Sequence, residues 1–312
     1  MTQIIQEIKK TQPVTVLLCT AERGDSLVPT VTSILSATGN SRCDELLVID
    51  QSADGRTEKA IAPFLDDPRL RFIRSATKGK GISLNFGVEW AKNEIIAITD
   101  DDVEVFPDWL DGHLEAFETH PKVALTYGQV LPVDFDSSAG FIPIYLFEQD
   151  RHVKTFPDKL EARGIGANTC IRRDVIRGLG GFDPTLGPGG KFFACVDGDM
   201  TVRCLIGGYE IYETHKSKVY HYGFRSWEQG RKLARNAWYG IGAAYAKPLR
   251  LGYWKTLPIP AHEFFNYALF PFIKKTLRGR PQGWIPIKSF LQGFVAGWKA
   301  PIDQKTLRFI AE

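Results

Sequence analysis

The chain has 312 residues, 44% hydrophobic and 24% charged, and its 39 Lys/Arg nearly balance 36 Asp/Glu for a formal net charge of +3. That length admits one large domain or two small ones with a sizeable core. The composition excludes disorder, collagen and coiled coil as the main character, and the near-neutral balance does not point to a nucleic-acid partner.

Residues 14–20 (VTVLLCT) form a β-branched apolar run that predicts a buried strand. A polar stretch at 21–26 and helical spacing at 27–37 follow. ELLVID at 45–50 predicts a second strand ending on a carboxylate, then come the turn QSADG at 51–55 and a helix over 57–65. Residues 70–74 predict a third strand, 79–93 a helix with a Gly-rich start, and 94–99 (EIIAIT) a fourth strand, again ending on carboxylates. Alternating strands and helices predict βαβ units and a parallel sheet. Right-handed crossovers put the loop after each strand on one edge, where open α/β sheets bind ligands. Three polar clusters, at 20–23, 50–52 and 100–102, thereby converge on one cleft.

The second half is less regular. Residues 123–131 predict a strand, 132–163 lack a clear period and are expected to cross the face of the cleft, 166–171 predict a strand and 174–179 a short helix. A loop with five glycines covers 180–193; 200–206 predicts a helix, 210–212 and 217–222 two strands, and 226–245 a helix. Beyond it Pro258, Pro260, Pro271, Pro281 and Pro286 interrupt short amphipathic pieces. The five cysteines are odd in number, irregularly spaced and without a CxxC pair, which argues for reduced thiols rather than a zinc site or disulfide framework. Residues 1–13 do not read as a signal peptide, and no apolar run is long enough to span a membrane. A cytoplasmic protein is expected.

The strongest chemical signal is Asp100-Asp101-Asp102 after an apolar strand. Adjacent carboxylates repel unless a cation or water relieves them, and a hard divalent cation with oxygen ligands does so. On an extended segment Asp100 and Asp102 would point to one side and Asp101 away, towards backbone donors. GKG at 79–81 is not a P-loop, and neither a GxGxxG after the first strand nor a GxSxG elbow is present.

In their order, five segments resemble the family-2 glycosyltransferases with the GT-A fold: VTVLLCTAERGDSL, LLVIDQSADGRT, KGKGISLNFGVEWAKNEIIAITDDDVEVFPDWL, GANTCIRRDVIRGLGGFDPTLG and ACVDGDMTVRCLIGGYEIYETHKSKVYH. The resemblance runs from about residue 14 to 221. It implies an α/β, mostly parallel central sheet flanked by helices in a GT-A domain at 1–225; beyond it, a helical, basic, aromatic-rich extension is expected at 226–312. It implies that Asp50 contacts the nucleoside, with Ser52 beside it, and that Thr20, Ala21 and Arg23 form the base-side loop. Asp100 and Asp101 would serve the nucleotide-sugar, and Asp102 would ligate Mn²⁺ or Mg²⁺ bridging the donor diphosphate. His221 resembles the His that closes the metal site, and a hydrogen-bonded structural His is the other reading. Asn85 would bond the donor or pin the DxD strand. Asn168, Gly181, Phe182, Asp183 and Asp199 would lie on the acceptor and sugar side.

Asp197 is the candidate general base. It is expected to precede the helix at 200–206, whose N-terminus would keep it ionised. The family commonly has Glu-Asp where this chain has Val196-Asp197-Gly198-Asp199, so a slip of one step would exchange Asp197 and Asp199.

The tail lies outside the resemblance. Residues 248–312 hold ten Lys/Arg against three acids, a net +7, which leaves −4 for the other 247 residues; five of the seven Trp come after residue 220. Peripheral contact with the cytoplasmic membrane face, packing onto the core and a homodimer contact all fit this pattern. The implied activity is metal-dependent, inverting transfer from a nucleotide diphosphate sugar to a carbohydrate or lipid-linked acceptor. A sugar-nucleotide pyrophosphorylase and an inactive carbohydrate-binding or scaffold relative are the alternatives.

Overall fold

A computed structural model describes residues 12–39, 43–278 and 283–311. Residues 1–11 of the N-terminal stretch, and Arg280, Pro281 and Glu312 of the basic tail, lie outside the described residues. The first half runs β1 (Val14–Thr20), α1 (Val28–Leu35), β2 (Cys43–Asp50), α2 (Arg56–Ile61), β3 (Leu70–Arg74), α3 (Lys80–Trp90), β4 (Ile95–Thr99), β5 (Val103–Val105), α4 (Asp111–Thr119) and β6 (Val123–Pro132). Then follow β7 (Gly140–Phe141), β8 (Arg151–Val153), β9 (Asn168–Arg172), α5 (Arg173–Gly178), α6 (Val196–Ile206), β10 (Glu210–His221) and β11 (Arg225–Ser226). The chain closes with α7 (Trp227–Arg250), α8 (Pro258–His262), a π-helical stretch at Glu263–Leu269, α9 (Phe270–Leu277), α10 (Trp284–Lys299), β12 (Ile302–Asp303) and β13 (Arg308–Phe309).

Nine strands form one sheet in the order β3-β2-β1-β4-β9-β6-β10-β5, with β8 also paired to β10. Six of them (β1, β2, β3, β4, β6 and β10) run the same way, and β5, β8 and β9 run against them. Period two sorts each central strand onto two cores. Leu17, Leu47, Ile49, Ile96 and Ile98 face one side with α3, α6 and α7. Val16, Leu18, Leu46, Val48, Ile95 and Ala97 face the other with α1 and α4. The parallel register of β1 with β2 and β4 brings Thr20 and Asp50 level and starts the acidic run one residue beyond Thr99, as the topology predicts.

Two predicted elements differ. The strands expected at 210–212 and 217–222 are one, β10, which shifts register against β6 between Glu213 and Lys218. The bulge lets Ser217, His113 and Asn168 meet in a buried hydrogen-bonded knot. The helix expected at 200–206 begins at Val196, so Asp197 and Asp199 lie inside its first turn rather than before it. The expected boundary at 225/226 falls just before α7, yet α7 contributes Ala243, Ala244 and Tyr245 to the same core as Leu17 and Leu84.

Candidate active site

The carboxyl edges of β1, β2 and β4 open onto a cleft of about 700 Å³, lined by Thr20–Arg23, Gln51, Lys78, Lys80, Asp100, Asp101 and Arg225 among others. The loop after β1 is held in shape from the β2 side. Glu22 N donates to Ser52 Oγ at 2.7 Å, and Ala53 N donates to Glu22 Oε1 at 2.9 Å. Glu22 adopts φ 60, a left-handed conformation that a non-glycine residue keeps only under such ties. Asp50 is buried, and its Oδ1 accepts from both N and Oγ of Ser52. Its Oδ2 and Thr20 Oγ1 are buried polar atoms without a hydrogen-bond partner among the described residues, positions at which a ligand hydrogen bond would be favoured.

Asp101 and Asp102 lie in a turn rather than continuing an extended run from Asp100. Lys80 Nζ donates to Asp100 Oδ1 at 2.5 Å. Arg23 Nε donates to Asp101 Oδ1 at 2.9 Å and Nη2 donates to Asp102 Oδ2 at 2.7 Å. Asp101 therefore meets a guanidinium, not the backbone donors expected. Asp102 also faces His221, whose Nε2 lies 3.2 Å from Asp102 Oδ1 and whose Nδ1 donates to Pro143 O at 3.0 Å. That carbonyl fixes the proton on Nδ1 and turns Nε2 towards the carboxylate. Burial pushes the Asp102 carboxyl up, but His221 and Arg23 outweigh it and hold it well below the usual range. The converse holds for His221: burial lowers it, and Asp102 more than restores it.

Ligand atoms of Asp100, Asp102 and His221 all lie within 4.8 Å of one another. A Cβ on Gly223 would fall 2.6 Å from His221 Nε2 and 3.1 Å from Asp102 Oδ2, so only glycine leaves room beside both. Oxygen and imidazole donors of this kind suit Mn²⁺ or Mg²⁺, and the residues present fit the implied cation.

Asp197 lines a second cavity of about 410 Å³ with Tyr145, Arg163, Tyr245 and Glu263. Burial, reinforced by the charge of Asp100, raises its carboxyl, while Lys80 and the Gly166 N–H oppose the shift. The direction is the reverse of that expected from a helix N-terminus, because desolvation outweighs the dipole. A Cβ on Gly166 would meet Asp197 Oδ1 at 2.6 Å, so glycine is needed for the N–H to approach.

The residues expected on the acceptor side have these surroundings. Asp199 is buried between Arg203 and Lys247, at 2.9 and 2.7 Å. Asp183, also buried, accepts from Lys247 Nζ at 2.6 Å and from Phe309 N at 2.8 Å. Asn168 belongs to the His113 knot. Gly181 and Phe182 are held by Asn85, whose Oδ1 accepts from Phe182 N and whose Nδ2 donates to Phe182 O. Asn85 thus pins the 181–182 turn, and bonds neither the DxD strand nor the cleft. His215 pairs with Asp150 away from the site. Lys80, Gln51 and Arg225 line the cleft and were missed by sequence reasoning. Lys80 carried a signal, since a cation at a helix N-terminus opposes the macrodipole and calls for an anion nearby.

A family model described as glycosyl transferase family 2 matches residues 15–178. The glucosyl-dolichyl phosphate glucuronosyltransferase of Haloferax volcanii is 26% identical over 182 residues, 56% of this chain and 57% of that protein. The chain thus aligns with little more than half of that relative's length. The mannosyltransferase PcManGT from Pyrobaculum calidifontis, solved with GDP-Man and Mn²⁺, superposes with a TM-score of 0.59 at 17% identity, over 94% of this chain and 88% of that one. For S. aureus TarS 1-349 the TM-score is 0.57 at 14% identity, over 90% and 81%.

Proposed function

The chain belongs to glycosyl transferase family 2 and has the GT-A fold, and on that premise we propose that it is a divalent-cation-dependent, inverting glycosyltransferase. It would move a sugar from a nucleotide diphosphate donor to a hydroxyl of a carbohydrate or lipid-linked acceptor. One observation carries this reading: Asp100, which lines the cleft, stands with Asp102 and His221, and Lys80 bonds Asp100 while its charge reaches Asp197 beyond.

The nucleoside would lie against the loop at 20–23, where Thr20 Oγ1 and Asp50 Oδ2 lack hydrogen-bond partners among the described residues. Lys78, Lys80 and Arg225 line the same cleft and would oppose the charge of the diphosphate. Asp102 and His221, with Asp100 beside them, would hold the cation, Mn²⁺ or Mg²⁺, which when bound supplies Lewis-acid stabilisation to the leaving diphosphate. Arg23 Nη2 would then leave Asp102 while Nε keeps its bond to Asp101. Asp197 would accept the proton of the attacking acceptor hydroxyl at its carboxylate, and its raised affinity for a proton suits that role. Attack from the Asp197 side, opposite the leaving diphosphate, gives inversion. Family membership sets aside the pyrophosphorylase reading.

The test is turnover of UDP-, dTDP- and GDP-sugars with Mn²⁺, with Mg²⁺ and with chelator. One donor class should be consumed only with metal, Asp102→Ala should be inactive, and NMR should find the product anomer inverted. Full activity of Asp102→Ala would refute the site. Metal-dependent nucleotide binding without turnover of any donor or acceptor would favour the inactive relative.

A further inference from the structure

Residues 264–302 contain six Lys/Arg and no Asp or Glu, and α9 and one stripe of α10 within them face outward. One face of α10 packs on α7 so closely that a Cβ on Gly293 would meet the carbonyl of Tyr239 and one on Gly242 that of Phe290. The opposite stripe, Trp284, Lys288, Leu291, Val295 and Trp298, repeats at helical period and is exposed at every position. In α9 no residue is buried. Phe270, Ile273 and Leu277 share its apolar stripe, Leu277 being 83% exposed, and Lys274, Lys275 and Arg278 accompany them. Helix α9 meets the start of α10 where the rings of Phe272 and Trp284 lie 5.8 Å apart. An exposed apolar face of this kind marks an interaction site. Among the described residues no helix is long and apolar enough to cross a membrane.

We propose that this face seats on an anionic lipid leaflet, with α9 and α10 in the headgroup plane, the Trp rings at the interface and the lysines on lipid phosphates. Charge selects the occupant. A second copy docked through the same patch would set cations against cations with no carboxylate to pair them, whereas an acidic leaflet neutralises them. The segment also reaches the cavity beside Asp197. Tyr267 on the π-helical stretch stacks on Arg163, 4.4 Å from ring centroid to guanidinium, and Arg163 and Glu263 line that cavity. Seating therefore brings the cavity to the leaflet, within reach of a lipid-anchored acceptor. That last step rests on the proposed function, whereas leaflet binding does not.

Flotation of the full chain on a density gradient tests the proposal. The protein should rise with phosphatidylcholine vesicles containing phosphatidylglycerol, remain below with pure phosphatidylcholine vesicles, and release as salt increases. Lys274→Glu with Lys275→Glu should cut the floating fraction severalfold, and so should Leu291→Ser with Trp298→Ser. Circular dichroism and donor hydrolysis should stay unchanged in both. Asp197→Asn should float like wild type even though transfer is lost, which separates this proposal from the catalytic one. Failure of the wild type to float with anionic vesicles would overturn it. So would a solution dimer cross-linked through Leu291→Cys, because a second copy would then cover the face.

Discussion

Arg23 ties Asp101 to Asp102, with Arg225 Nη2 3.8 Å from the same Asp102 oxygen, so the guanidinium takes up one of the carboxylates that a divalent ion would need. Arg23→Gln should tighten Mn²⁺ binding severalfold, read as free Mn²⁺ by electron paramagnetic resonance. A partly exposed pair of this kind is worth roughly 1 kcal/mol after screening. Weaker Mn²⁺ binding in that variant would mean that Arg23 builds the site rather than competes for it. Asp197 gives a second test at this scale. Burial and Asp100 raise its carboxyl, so the acidic limb of the kcat profile should lie above the ordinary Asp value of about 4. Transfer should rise as pH increases through that limb, because the base must be deprotonated. Lys80→Met removes an opposing charge and should move the limb higher; a limb that stays put would detach Lys80 from the base. The acidic triplet was legible because three adjacent carboxylates after an apolar strand ask for a cation. Lys80 was not read, because its partner stands 20 residues on and only the fold brings them together.

Helix α7 shows how little of an element's role its own sequence carries. Lys247 is 1% exposed and its Nζ bonds both Asp183 and Asp199. Burial raises the Asp183 carboxyl, yet Lys247 leads a set of contacts that brings it below its ordinary value. That group's contribution to stability is therefore complete above the unfolded Asp value and is lost as pH falls through the lower folded value. Lys247→Met would leave the buried Asp183 carboxylate without a cation and should cost about 3–5 kcal/mol at neutral pH, read as a fall in Tm. The deficit should shrink as pH drops and Asp183 protonates in the variant, and a deficit independent of pH would point to packing alone. Helical spacing predicted α7, but neither Lys247 nor its partners lay within reach of a local pattern. The resemblance sets Asp183 and Asp199 on the acceptor side, and only the fold brings Lys247 to both. The early start of α6 was hidden likewise: its first turn is polar, and the apolar period that identifies a helix begins only at Met200.

Across the whole molecule, the division into a −4 front and a +7 tail corresponds to two surfaces of different chemistry. The front gathers its carboxylates at the carboxyl edge of a sheet whose topology followed from alternating βαβ signals. The tail sends Phe309 back into the core and keeps the stripes of α9 and α10 outside. Periodicity announced that these helices are amphipathic, but not which side would be covered, since that depends on the glycines through which α10 meets α7. Gly223→Ala should weaken Mn²⁺ binding at least tenfold without lowering Tm, because its Cβ fills space beside Asp102 and His221. Unchanged Mn²⁺ affinity would move the cation away from that corner. The most direct test of the central claim is calorimetric titration of UDP, GDP and dTDP into the wild type and Asp102→Ala, with and without Mn²⁺. One diphosphate should bind the wild type only with the metal and should lose that affinity in the variant. Metal-independent binding, or equally tight binding by Asp102→Ala, would contradict it.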